Sequence, residues 1–65
     1  MNISGKVLPY IQGMVFPATK EKLVNYAKYN DAPEDVILIL GGLNKVHFES
    51  IDELIRELEI EGYLS

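Results

Sequence analysis

An all-α fold, a compact bundle of four short helices joined by extended connectors, is the expectation for this chain, with room for a strand pair of two or three residues. Three observations support it. Hydrophobic residues make up 48% of the 65 and charged residues 25%, the balance of a folded globular domain and not of a disordered tail. Apolar residues recur at helical spacing in two long segments, Leu23 to Ala27 and Ile51 to Leu58. The three prolines fall at segment edges or in first turns, where they delimit helices without breaking them. Residues 1–65 are expected to form a single small domain. A chain this short hides only about 60% of the surface its unfolded form exposes, so its stability is thin.

The first segment runs from Lys6 to Gln12, with Val7, Leu8, Tyr10 and Ile11 apolar. Pro9 fits only in an opening turn, because it lacks an amide hydrogen and clashes with the preceding turn. Gly13 is a natural stop. Met14 to Ala18 is an extended connector, since Pro17 pushes Phe16 away from the α region. Thr19 then caps a helix from Lys20 to about Tyr29. Leu23, Val24 and Ala27 share one face of it, and Lys20, Lys22, Asn25 and Lys28 take the wet side.

Asn30 to Glu34 is a turn followed by a restart. Asp31 and Glu34 have capping-box spacing, with Pro33 in the first turn behind them. The run Val36-Ile37-Leu38-Ile39-Leu40 leaves two readings open. Its β-branched residues suit a short buried strand. The cap before it and Gly41-Gly42 after it favour a helix of about 33–41. Leu43 to Glu49 alternates Val46 and Phe48 with Lys45, His47 and Glu49, an extended segment with two or three residues of strand. Ser50 and Glu53 form a capping box ahead of the clearest helix, Ile51 to about Glu61. Its Ile51, Leu54, Ile55 and Leu58 stand at i, i+3, i+4 and i+7. Gly62 ends it, leaving Tyr63 and Leu64 to fold back over the core. That core is Leu8, Ile11, Phe16, Leu23, Val24, Ala27, Val36, Ile37, Leu40, Leu43, Phe48, Ile51, Leu54, Ile55 and Leu58.

Several of these residues carry a family pattern. Gly13-x-x-Phe16-Pro17-Ala18-Thr19-Lys20, then Leu23, Ala27, Asn30, Ala32-Pro33, Val36, Leu43 and Phe48-x-Ser50 resemble the bacterial domain of unknown function family 2795. The resemblance covers residues from about 7 to 58, and Phe16 to Lys20 is its most specific part. Gly41-Gly42-Leu43-Asn44 departs from it, standing where the family more often has helical residues and Leu-Pro. The third helix is expected to end early for that reason. The resemblance implies a small helical bacterial domain. It implies no activity and supplies no catalytic residue.

Composition excludes much chemistry. Without cysteine there is no disulfide, no thiolate metal site and no cysteine nucleophile. His47 is the single histidine, and a metal site needs three or four ligands, so it reads as a surface residue. Glu53, Glu57 and Glu61 form an i, i+4, i+8 stripe that reads as a solvated acidic face before a cation site. Ser4, Ser50, Ser65 and Thr19 have no base beyond His47, and two of them are caps. The chain is therefore not expected to be an enzyme, and no cofactor is expected. No segment approaches the roughly 20 apolar residues of a membrane span. The first six residues lack a basic region followed by an apolar core, so a cytoplasmic location is expected.

The formal charge is −4. Residues 1–30 hold Lys6, Lys20, Lys22 and Lys28 against Glu21 alone, a net +3, and residues 31–65 carry −7. That asymmetry permits head-to-tail attraction between copies. Five consecutive apolar residues go all the way around a helix. In so small a monomer, one flank of Val36 to Leu40 should stay exposed, forgoing about 1.5–3 kcal/mol for each such side chain. The expected function is thus a non-catalytic cytoplasmic protein–protein interaction or self-associating module, its partner an unknown protein or a second copy. Its anchors would be Val36, Ile37, Ile39 and Leu40, with Met14, Tyr10 and Tyr63 nearby. The acidic last helix would form a rim suited to a basic partner. The alternative is weak nucleic-acid association through Lys20, Lys22 and Lys28 with Asn25 and Tyr29, which the net negative charge opposes. A helix-turn-helix reading fails because the would-be recognition helix is acidic and then apolar.

Overall fold

The computed structural model describes residues 3–61, which hold four α-helices and a two-stranded sheet. Helix α1 spans Ile3–Val7 and runs into a 3-10 turn at Leu8–Tyr10. This corrects the expected first element, Lys6 to Gln12. The helix starts at Ile3, and Pro9 lies inside the 3-10 turn because it has no amide hydrogen to extend an α ladder. The turn closes with the Ile11 N–H donating to the Leu8 carbonyl at 3.1 Å.

Helix α2 spans Lys20–Tyr29, and Thr19 caps it as expected, its Oγ1 accepting from the Lys22 N–H at 3.2 Å. Its C-terminus carries a paired-carbonyl closure. The Ala32 N–H donates to the Ala27 carbonyl and the Asp31 N–H to the Lys28 carbonyl, both at 3.0 Å, with Asp31 at φ 59°. Asp31 therefore closes α2 and does not share a capping box with Glu34. Aspartate tolerates the left-handed region better than most residues, which suits it to this position.

Helix α3 spans Glu34–Gly41 and settles the ambiguous run as helical. Pro33 is its N-cap residue and makes no side-chain capping bond. Helix α4 spans Ile51–Ile60. Ser50 is its N-cap residue, but the hydroxyl makes no capping bond. Instead Glu53 Oε1 accepts from the Glu49 N–H at 3.1 Å, one residue upstream of the expected partner. The Lys45 ammonium sits 3.2 Å from the same oxygen and holds it there. The expected stop at Gly62 and the fold-back of Tyr63 and Leu64 lie outside the described residues.

Strands β1 (Ala18–Thr19) and β2 (His47–Phe48) pair antiparallel, Ala18 opposite Phe48 and Thr19 opposite His47. The Lys20 N–H continues the ladder, donating to the Val46 carbonyl at 2.8 Å. This small sheet ties the start of α2 to the start of α4. Helices α2 and α3 make the most extensive helix–helix contact. Val7, Ile11, Leu23, Ala27, Val36, Leu40, Leu43, Phe48, Leu54 and Leu58 are buried together. Val7 and Ala18 are buried beyond expectation, whereas Leu8, Phe16, Val24, Ile37, Ile51 and Ile55 are only half-buried. The radius of gyration is 10.3 Å, against about 11 Å expected for a compact chain of this length.

Candidate functional site

The Val36 to Leu40 run keeps one flank exposed, as expected, but not with the residues expected as its anchors. Val36 and Leu40 are fully buried in the single chain, so neither can anchor an interface. They lie one turn apart and both face the core. Ile37 and Ile39 are half-buried. The solvent-facing member is Leu38, 66% exposed. Of the expected interface, Ile37 and Ile39 remain at the edge of an outer face centred on Leu38.

A second apolar surface borders α2. Leu23 and Ala27 turn inward, Val24 and Tyr26 are half-buried, and Lys22, Asn25, Lys28 and Tyr29 are exposed. The chain before β1 runs beside this helix because Gly13 reverses it at φ 91°. Most side chains avoid that backbone region. A Cβ there would also stand 3.3 Å from the Tyr26 hydroxyl. That hydroxyl donates to the Gln12 carbonyl at 3.3 Å, and Asn30 Nδ2 donates to the Tyr10 carbonyl at 2.9 Å. These two bonds fasten α2 to the preceding segment. Between them lies a groove of about 460 Å³ lined by Gly13, Met14, Val15, Lys22, Asn25, Tyr26 and Tyr29. Val15 is 82% exposed and Tyr29 83%. On the other flank of α2 a depression of about 680 Å³ is lined by Thr19, Lys20, Glu21, Val24, Asn25, Lys28 and Val46. Asn25 borders both.

The three lysines considered as a phosphate-contacting face are divided between two surfaces. Lys20 Nζ donates to the Leu43 carbonyl at 3.0 Å and is half-buried, so it is spent on the fold. Lys22 lines the first groove, and Lys28 lines the second together with Lys20. Asp35 pairs with Lys6, whose ammonium holds its carboxyl below the usual range.

The acidic stripe of α4 is likewise divided. Glu53 is lowered by the Glu49 backbone bond and then by Lys45. Glu61 Oε2 accepts from the Asn44 N–H at 2.9 Å. Glu57 is raised, by partial burial first and by its neighbour Glu61 second. Among the described residues no group of three or more histidines and carboxylates could hold a metal ion. His47 is exposed, its Nε2 3.0 Å from Glu49 Oε1. No helix among the described residues is long and apolar enough to cross a membrane.

Val15 is not among the residues that the sequence singles out. A usable signal existed: an apolar residue between a glycine stop and a proline, in a segment with no period to aim it inward. The profile of a family described as a protein of unknown function (DUF2795) matches residues 5–55. No curated protein and no solved structure matches the chain.

Proposed function

The chain belongs to the DUF2795 family, whose function is unknown, and from that premise we propose that it is a non-catalytic protein-interaction module, a compact helical bundle that docks a protein partner on the outer side of α2. One observation carries this reading: Val15 and Tyr29, the two most exposed of the large apolar and aromatic side chains described, line the same groove. Aromatic side chains and methionine are enriched at interface cores, and Tyr26, Tyr29 and Met14 supply them here. Single exposed residues are ordinary, but two sharing a groove with Met14 and Tyr26 make a contiguous patch. Several of the polar side chains hold the fold: Thr19 caps α2, Glu53 and Glu61 bind backbone amides, and Asp35 pairs with Lys6. That supports a role without catalysis. The cytoplasmic location expected from the sequence goes with this reading.

Cross-linking in the native cell tests it. A photoreactive side chain in place of Val15 or Tyr29 should trap a protein adduct, and one in place of Glu34 should not. The adduct should weaken when Lys22→Glu is added. If neither groove position traps an adduct, the reading is wrong.

A further inference from the structure

We propose that the groove beside α2 accepts the end of α4 from a second copy of this chain, with Ile60 as the apolar anchor and Glu59 as the charge partner of Lys22. The inference rests on the groove being an interaction surface and adds its occupant.

Both complementary halves lie on this chain. The groove offers Met14, Val15, Tyr26 and Tyr29 with Lys22 at its margin. Ile60, at the last position of α4, is 69% exposed, and Glu59 beside it is also exposed. An apolar side chain flanked by a carboxylate is the chemistry such a groove selects. The electrostatics of the two helices reinforce it. The last turn of α4 holds no basic residue, so its carboxylates crowd the negative end of the helix dipole. Lys22 sits in the first turn of α2, near that helix's positive end. Each is placed unfavourably within its own helix, and contact between copies relieves both. The net +3 of residues 1–30 and −7 of residues 31–65 give the same polarity on a larger scale. A two-fold arrangement uses each groove and each α4 end once and closes as a dimer.

One isoleucine in each of two grooves is still a small contact, well below a standard interface, so the association is weak and needs high protein concentration. Sedimentation equilibrium of the full chain up to about 1 mM reaches contacts of that strength. At about 0.1 M salt the screening length is about 10 Å, which mutes repulsion between net-negative copies while leaving contact pairs intact. The weight-average mass should rise with concentration toward that of a dimer. Ile60→Ser and Val15→Ser, both at exposed positions, should each weaken association about tenfold or more. Lys22→Glu and Glu59→Lys should each weaken it, and the double variant should regain it. Thermal melts establish that each variant is folded. A mass that stays monomeric throughout overturns the inference, as does association indifferent to Ile60→Ser or lost instead on Leu38→Ser. A monomer in the centrifuge together with a cross-linked adduct of another protein at Val15 defeats the second-copy occupant while the interaction reading stands. Absence of both defeats each.

Discussion

Helix α3 is almost wholly apolar and α2 mostly polar, yet the two most exposed apolar side chains border α2. In α3 the surplus is absorbed. Val36 and Leu40 fill the core, Ile37 and Ile39 are half-covered, and Leu38 alone stands clear. Around α2, Tyr29 and Val15 stay out because no described residue packs over the groove that Gly13 and Tyr26 shape between them. Apolar content therefore says how much grease a segment has, and neighbouring elements decide how much of it stays wet.

The sharpest way to break this comparison lies within α3. Leu40→Ala should cost about 2–5 kcal/mol, the range for emptying a buried leucine site. In a domain this small that takes much of the total stability and lowers the melting temperature by at least about 10 °C. Leu38→Ala should cost less than about 0.5 kcal/mol, as exposed substitutions do. Equal losses in thermal melts would mean that α3 has no inner and outer face.

Gly13→Ala sharpens the α2 side. Forcing a side chain into the left-handed region costs about 1–2 kcal/mol, and the new Cβ crowds the Tyr26 hydroxyl. Chemical denaturation should show that loss, and the tyrosine fluorescence of the folded state should change with it. The helix starts give a smaller contrast. Thr19→Ala should cost about 1 kcal/mol because its hydroxyl caps α2. Ser50→Ala should cost clearly less, since that hydroxyl makes no capping bond.

The smallest effects are in pH. The folded pKa of Asp35, lowered first by its bond to Lys6, lies below its unfolded value. So does that of Glu53, lowered first by the Glu49 amide. Their stabilisation is complete above the unfolded pKa and is lost as pH falls through the folded one. Melting temperature should accordingly drop below about pH 4, and Asp35→Asn should flatten that drop. Glu57 has the opposite sign. Its pKa is raised by partial burial and by Glu61, so its contribution is present in acid and is lost as pH rises through the folded value. Glu57→Gln should raise the melting temperature at pH 7 and give no gain in acid. A variant less stable than the parent at pH 7 would refute this.

Much of the fold was legible because two kinds of signal agreed. In α2 and α4, caps and apolar period pointed to the same boundaries, and the described residues follow them closely. Where one signal stood alone it misled. Asp31 and Glu34 have the spacing of a capping box, but the same spacing arises when an aspartate closes one helix just before the next begins. Pro9 alone suggests an opening turn and so a first helix that begins late, while a 3-10 turn accommodates it equally well and lets α1 begin at Ile3. The candidate site was legible only in part. An all-apolar run signals an excess without giving the angle of each residue to its neighbours. Val15 lies in a connector, and only the backbone reversal at Gly13 brings it alongside Tyr29.

The two-residue sheet has a consequence in time. Its pairs join residue 18 to residue 48, so the whole α2–α3 unit is the interior of one closed loop. Closing that loop costs entropy that no local contact repays, and the ladder forms only once closure has happened. The Lys20 amide, bonded to the Val46 carbonyl across that junction, is therefore a clock for it. Its hydrogen-exchange rate counts how often the ring opens, independently of whether α2 itself has melted.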